Sequence, residues 1–253
     1  MSKLIFSIAL LVLVQAIISV DGILHHWYSD ANATFYGDME GRETMGGACG
    51  YDDLFEQGYG LMTTAVSPAL FNNGYTCGSC FEMKCVNKPN WNYCKKGSSP
   101  IRVTVTNLCP PNYGQGDGHW CNPPYKHFDL SMKMFTTMAE YRAGIVPVLY
   151  RRVPCHKQGG VKFQLKGTPY WLLVLVFNVG NAGDVSSVSI KGQNGKWLTM
   201  SKNWGQNWLI GVNLVGQSLS FKVTTSDRKT LVFHHVAPSH WQFGSTYEGK
   251  LNF

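Results

Sequence analysis

The sequence predicts an all-β protein in two parts, a cysteine-stapled β-barrel with small helices followed by a cysteine-free β-sandwich, and three observations lead there. The first is composition: of 253 residues, 44% are hydrophobic, only 15% are charged and 27 are glycine. That is enough apolar material for one large core or two modest ones, which argues against disorder. So much glycine with so little charge favours turn-rich β structure over a coiled coil or a long helical bundle. The second is that all eight cysteines fall between Cys49 and Cys155. The third is charge, which changes at the same place. Residues 23–160 carry 12 Lys and Arg against 11 Asp and Glu, whereas residues 161–253 carry 9 against 3, so the second part holds +6 of the formal +7.

The first 22 residues are set apart. Lys3 is followed by a run from Leu4 to Val20 without a charge, then Asp21 and Gly22, with small residues Val20 and Gly22 at the −3 and −1 positions. This is the pattern of a secretory leader, and no later apolar run is long enough to span a bilayer. An exported chain with an even number of cysteines reads as disulfide-bonded. Cys77-Gly78-Ser79-Cys80, with His119, Cys121 and His156, offers a metal or redox alternative. It lacks a second CxxC or a His-x3-His to complete it, so neither metal nor cofactor is expected.

Residues 23–160 form the first part. Ile101 to Thr106 alternates apolar and polar as a half-buried strand, and Ile145 to Val153 is a second extended run. Between them Leu130, Met134, Phe135, Met138 and Ala139 share one face at helical spacing. Asp129 or Ser131 is available as N-cap and Gly144 as the stop. Ser67-Pro68-Ala69-Leu70-Phe71 before Asn72-Asn73-Gly74 reads as a single helical turn. After Gly159-Gly160, residues 161–168 are linker and domain start, and 169–253 a β-sandwich. Strand runs fall at Val161–Leu165, Tyr170–Val179, Val185–Ile190, Lys196–Met200, Leu219–Thr225 and Thr230–Val236. Of its aromatics, about half of Tyr170, Trp171, Trp197, Trp204, Trp208 and Trp241 are expected in the core. The rest suit stacking on sugar rings. Secretion and scattered rather than clustered Lys and Arg turn the positive charge away from nucleic acid, towards an acidic extracellular polymer or a membrane surface.

Six motifs in order now carry a resemblance: Ala33-Thr34-Phe35-Tyr36-Gly37, Gly46-Gly47-Ala48-Cys49-Gly50-Tyr51, Cys77-Gly78-Ser79-Cys80-Phe81-Glu82, His127-Phe128-Asp129-Leu130, Tyr150-Arg151-Arg152-Val153-Pro154-Cys155 and Asn203-Trp204-Gly205-Gln206-Asn207-Trp208. Across the whole mature chain the sequence resembles the plant expansins, most nearly the α-expansins. The resemblance implies a six-stranded double-psi β-barrel like that of family-45 endoglucanases, joined to an immunoglobulin-like sandwich that binds polysaccharide. It implies secretion to the plant cell wall, with cellulose and xyloglucan as partners; the positive charge of the second part adds acidic pectin, and a monomer is expected. Its activity there would be wall loosening at acid pH, through noncovalent contacts and without hydrolysis. It also implies the bridges Cys49–Cys77, Cys80–Cys155, Cys85–Cys94 and Cys109–Cys121, a choice that arithmetic alone leaves open among about 100 pairings. Trp171 and Trp204, with Tyr170 in reserve, fall where the family places its polysaccharide-binding aromatics.

The chemistry of the barrel motifs is weighed separately. An inverting glycosidase needs an acid and a base roughly 6.5–9.5 Å apart. Asp129 in His127-Phe128-Asp129 matches the acid. As a helix cap, however, its pKa would be lowered by the helix dipole. Asp38 stands where the related endoglucanases carry the base, in Thr34-Phe35-Tyr36-Gly37-Asp38. It reads equally as a solvated turn acid beside Glu40 and Glu43, with Gly37 free to turn the chain away. The pair defines the alternative function, an active β-1,4-glucan endohydrolase. Thr34, Phe35, Tyr36 and His127 are the expected glucan-binding residues of the groove. Asn32-Ala33-Thr34 is a glycosylation sequon inside that groove motif. Arg151 and Arg152 either hold acids near the site or protect a sheet edge.

Overall fold

The structure, a computed structural model, describes residues 26–114 and 119–253. The leader expected over residues 1–22 lies outside them. Six strands close a barrel: β1 (Tyr28–Tyr36), β2 (Thr63–Val66), β3 (Cys80–Cys85), β4 (Ile101–Leu108), β5 (Lys126–Ser131) and β6 (Val146–Val153), in the order β1-β5-β2-β4-β3-β6. β1 runs parallel to β5 and β2 parallel to β4, while the remaining neighbours are antiparallel. This is a double-psi β-barrel. Side chains alternate across each strand, so Ala31 and Ala33 of β1 and Phe128 and Leu130 of β5 fill the interior. Asn32, Thr34, Tyr36, His127 and Asp129 therefore face outward together.

Two short helices flank the barrel. α1 (Pro68–Phe71) has its proline in the first turn and ends at Asn72, which takes the left-handed conformation at φ 49°. α2 (Met132–Met138) begins later than the sequence pattern suggested. Leu130 belongs to β5 rather than the helix, Asp129 is two residues short of the Ser131 cap position, and Ala139, not Gly144, ends it. The confusion has a physical source, since Leu130 also fits the period-two alternation with Phe128. As a strand residue, Asp129 escapes the helix dipole that would have lowered its pKa.

The second part packs a four-stranded sheet, β10-β9-β13-β14, on a five-stranded one, β11-β12-β8-β7-β15. Their ranges are β7 (Lys162–Thr168), β8 (Trp171–Phe177), β9 (Val185–Lys191), β10 (Leu198–Thr199), β11 (Ser201–Trp204), β12 (Asn207–Ile210), β13 (Leu219–Thr225), β14 (Thr230–Ala237) and β15 (Thr246–Glu248). Residues 161–168 are thus not linker. β7 pairs along its length with β8 and also with β15, because Val161, Phe163 and Leu165 are wholly buried. Phe163 stacks on Phe221 at 4.3 Å and meets Phe233 edge-on at 5.2 Å. Such aromatic pairs add about 1 kcal/mol each beyond burial.

The two parts meet along a bonded seam. Leu175 and Phe177 of β8 pack into the barrel core. The Gln206 backbone N–H donates to the Cys49 carbonyl, and its side-chain amide donates to the Cys77 carbonyl, each at 3.0 Å. Cys155 and Asn181 exchange two backbone hydrogen bonds. Arg152 donates to the Ala182 carbonyl at 2.9 Å and pairs with the buried Asp184. A side chain on Gly205 would lie 2.3 Å from the Cys49 carbonyl oxygen, so glycine is required in the Trp204-Gly205-Gln206 turn.

Candidate functional site

Register assembles the site. In the parallel β1–β5 pair Thr34 lies opposite Asp129, and in the antiparallel β2–β5 pair Ala65 lies opposite Asp129. Ala65 in turn lies opposite Asn107 of β4. Thr34, Asp129, Ala65 and Asn107 therefore form one row on the outside of four adjacent strands, with the smallest side chain in the middle. Such a row is a shallow floor with polar banks.

Thr34 is its hinge. Its hydroxyl donates to Asp129 Oδ1 at 2.7 Å and also lies 2.7 Å from His127 Nε2. One hydroxyl has one proton, so it accepts from His127, which fixes the imidazole as the Nε2–H tautomer. His127 Nδ1 is left buried without a protein partner. Burial pushes the His127 pKa down to about 4, and His119 acts in the same sense. The ring therefore stays neutral through mildly acidic pH. Burial raises the Asp129 pKa, against which the Thr34 hydrogen bond acts. The Thr64 hydroxyl holds the Asp129 backbone carbonyl at 3.0 Å. Ser67 fixes the entry to β5, donating to the Tyr125 carbonyl at 2.8 Å and accepting from the His127 N–H at 3.1 Å. The arrangement suits a carboxyl group that keeps its proton to a higher pH than an exposed aspartate does.

Not every expected groove residue faces the groove. His127 is only 1% exposed, its ring held beneath the surface against the Thr34 hydroxyl. Phe35 alternates with Thr34 and Tyr36, and its ring packs against Phe135 at 4.8 Å and Tyr141 at 4.9 Å, away from the row. Tyr36 does share the outer face of Thr34. Its hydroxyl is buried without a partner at hydrogen-bond distance, and burial raises its pKa, opposed by the nearby Asn107 amide and aided by the Asp129 charge. Asp38 lies past the strand, after Gly37 at φ 73°, and accepts the Glu43 backbone N–H at 3.3 Å. This is the role of a turn acid. Asn32 occupies the same outer face, opposite His127.

Sequence reasoning missed Asn107. Its Oδ1 accepts from the Ala48 and Leu108 backbone N–H groups at 2.8 Å, which ties the glycine-rich Gly46–Gly50 loop to the barrel. Gly47 admits no side chain there, since a Cβ would lie 2.6 Å from the Thr106 carbonyl oxygen. The available signal was an amide closing the alternating run from Ile101. Trp120 and Tyr125, each 47% exposed, were also missed. They lie on the segment that leads through Tyr125 to Ser67 and His127, and aromatics beside a disulfide-closed loop were the cue.

On the sandwich, Tyr170, Trp171 and Trp204 are 70%, 51% and 46% exposed, while Trp208 and Trp241 are core. Trp171, Leu173 and Leu175 share one face of β8; Leu209 lies opposite Leu173 and Asn207 opposite Leu175. Trp204 lies opposite Asn207. Both tryptophans thus stand on the outer face of the five-stranded sheet, and Trp204 abuts Gly50, where a Cβ would lie 2.9 Å from its ring. An apolar strip therefore runs from Trp171 towards the barrel. Arg151 pairs with Glu82, as does Arg102, and Arg152 joins the seam, so both arginines are structural.

The four bridges are Cys49–Cys77, Cys80–Cys155, Cys85–Cys94 and Cys109–Cys121, the pairing that the resemblance implied. Cys77 and Cys80 are committed to different bridges, so their CxxC has no free thiol pair for redox or metal chemistry. No helix of the described residues is long and apolar enough to cross a membrane.

Comparison with known proteins adds the following. A family model described as Lytic transglycolase matches residues 63–150, and one described as Expansin C-terminal domain matches residues 161–238. Expansin-A23 of Arabidopsis thaliana is 57% identical over 94% of this chain and 84% of its own length. Expansin-A32 of Oryza sativa subsp. japonica is 51% identical over 89% of this chain and 84% of its own. Among solved structures, a variant Clavibacter michiganensis expansin in complex with cellohexaose superposes with a TM-score of 0.66 at 20% identity, over 88% of this chain and 96% of that one.

Proposed function

The chain belongs to the expansin family, in its α class, and from that premise we propose that it is a secreted plant cell-wall protein that loosens the wall at acid pH without hydrolysis. It acts on the noncovalent contacts between cellulose microfibrils and matrix glucans. The observation that carries this reading is the state of Asp129, a carboxyl group on an outer strand face with a raised pKa and a hydroxyl fixed on Oδ1. A protonated Asp129 donates a hydrogen bond to a glucan oxygen and competes with the neighbouring chain for it. No base is needed. Asp38, the base of the hydrolase reading, is engaged by the Glu43 N–H in its own turn. The outer-sheet strip of Trp171 and Trp204 supplies flat apolar contact for cellulose, and the bound cellohexaose of the Clavibacter protein is in keeping with that. Xyloglucan and acidic pectin are the further partners, the latter through the basic sandwich, and the protein acts as a monomer. The test is parallel measurement of creep in heat-killed walls under load and of reducing-sugar release. Creep without sugar release is expected, whereas sugar release that disappears in both Asp129→Asn and Asp38→Asn would overturn it.

A further inference from the structure

A cavity of about 210 Å³, none of whose lining residues belongs to the Asp129 row, lies on the barrel against β4 and the chain leaving β6. Its walls include Tyr59, Met62 and Val103, its cations are Arg102 and Lys157, and the His156 side chain also lines it. The cations are poorly compensated. Glu82 is shared between Arg102 and Arg151. Lys157 enters no ion pair among the described residues, and its ammonium sits 4.1 Å above the Tyr59 ring. Burial lowers its pKa to about 8, with no acid acting to restore it. The acids of the neighbouring loop are turned elsewhere: Asp52 pairs with Lys166, and Asp53 accepts the Phe55 and Glu56 backbone N–H groups. Glu56 makes no ion pair among the described residues.

A desolvated ammonium without a counter-charge is destabilising unless something anionic completes it. The cavity admits about seven waters' volume and is smaller than the ~300–1,000 Å³ of sites that enclose a whole drug-sized ligand. It therefore takes one ring or one small anion. Inorganic phosphate would satisfy the cations but leave the exposed Met62 uncovered. A sugar carrying a carboxylate uses both, the carboxylate meeting Lys157 and Arg102 and the ring C–H face meeting the apolar wall.

We propose that this cavity is a second carbohydrate site, specific for a single uronate residue of an acidic polysaccharide. The choice of a wall uronate rests on the extracellular function proposed above; the cation arrangement does not. The site would anchor the barrel to an acidic chain while the Asp129 row engages a neutral glucan.

Competitive lysine labelling of the unmodified, disulfide-intact protein tests it. An amine-reactive ester is applied with trigalacturonate, cellohexaose or inorganic phosphate, and each lysine is quantified by peptide mass spectrometry. Trigalacturonate should slow labelling of Lys157 several-fold, with cellohexaose and phosphate having little effect. Equal slowing by phosphate overturns the uronate assignment, and no slowing by trigalacturonate overturns the site. Calorimetry provides a second measure: Lys157→Gln should weaken trigalacturonate binding about tenfold, the size of one charge-assisted contact of ~1.5 kcal/mol. Unchanged affinity overturns the proposal. Creep assays on the same preparation separate the two readings, since normal creep with no protection of Lys157 removes this site alone.

Discussion

The barrel and the sandwich solve opposite problems. The sandwich has a continuous apolar core, with Phe163 stacked on Phe221, and reaches it without a disulfide. The barrel carries all four bridges. Among the described residues, buried side-chain atoms without protein partners occur in both halves: Tyr36 Oη, Thr63 Oγ1, Thr106 Oγ1, His119 Nδ1 and His127 Nδ1 in the barrel, and Gln164 Oε1 with the Asn207 amide in the sandwich. An unsatisfied buried polar atom costs about 1–3 kcal/mol, and a disulfide stabilises by about 2–4 kcal/mol. The two effects are of one order, and the barrel has the larger share of such atoms as well as every bridge. Staples stand in the half that carries the polar row, and the sandwich tolerates its own unpaired amides without them.

The sharpest way to break this division is at Asp129. Asp129→Asn keeps the side chain's shape but cannot supply an acidic proton, and it should abolish creep with the fold retained. Asp38→Asn should leave creep nearly unchanged, losing only an exposed turn contact. Creep retained in Asp129→Asn would mean that the barrel, like the sandwich, merely binds.

The next test separates the two halves by pH. A histidine with its folded pKa lowered contributes stability present above its unfolded pKa and lost as pH falls through the folded value. For His127 that window runs from 6.5 down to about 4. The loss across it is about 3 kcal/mol. Asp129 has the opposite sign, since a raised acid pKa stabilises at low pH and its contribution is lost as pH rises through the raised value. Melting curves between pH 6.5 and 4 should show the unmodified barrel weakening, and His127→Gln should flatten that slope. Parallel slopes would show that His127 does not titrate as its burial requires. Creep should also decline near pH 4, where a charged imidazole would need an acceptor that Nδ1 lacks.

Much of this was legible in the sequence, for identifiable reasons. The β4 alternation from Ile101 was plain because Ile101, Val103 and Val105 alternate with polar residues, although Thr104 and Thr106 are themselves buried. β11, β12 and β15 were not, being three or four residues long, too short for an alternation to show. Asp129 was found through its motif, but its environment was not: the Thr34–His127 contact joins residues 93 apart, and nothing local announces it. Phe35 was misplaced because a motif names neighbours in sequence, whereas a strand sends them to opposite faces.

On the sandwich side the largest expected effect is on cellulose. Trp171→Ala with Trp204→Ala removes two exposed rings, each contributing about 1 kcal/mol of contact, so binding should weaken more than tenfold. Creep per bound molecule should persist, because the acid lies on the other half. Trp204 also lies against Gly50, so circular dichroism of the single variants checks that the seam survives. Undiminished cellulose binding would move the contact surface to Trp120 and Tyr125 on the barrel.

The smallest effect concerns the sandwich's other face. Lys191 and Lys222 stand on the outer face of the four-stranded sheet, 5.2 and 5.6 Å from the Trp197 ring, on the opposite side from Trp171 and Trp204. The four-stranded sheet thus adds positive charge on the side away from the exposed tryptophans, whereas Lys162 and Lys166 share the Trp171 face and Lys166 is held there by Asp52. Screening acts over about 8 Å at physiological ionic strength and leaves ring contacts almost untouched. Binding to whole walls, which hold acidic pectin, should therefore fall with added salt, while binding to pure cellulose should change little. Lys191→Gln with Lys222→Gln should make the whole-wall curve shallower by about two charges' worth of slope, without altering the cellulose curve. Wall binding whose salt slope survives that double substitution would place the acidic contact elsewhere, and the Lys157 cavity on the barrel would be the first alternative. The basic sheet would then be a solubilising surface, and the division between the two faces would be one of composition alone.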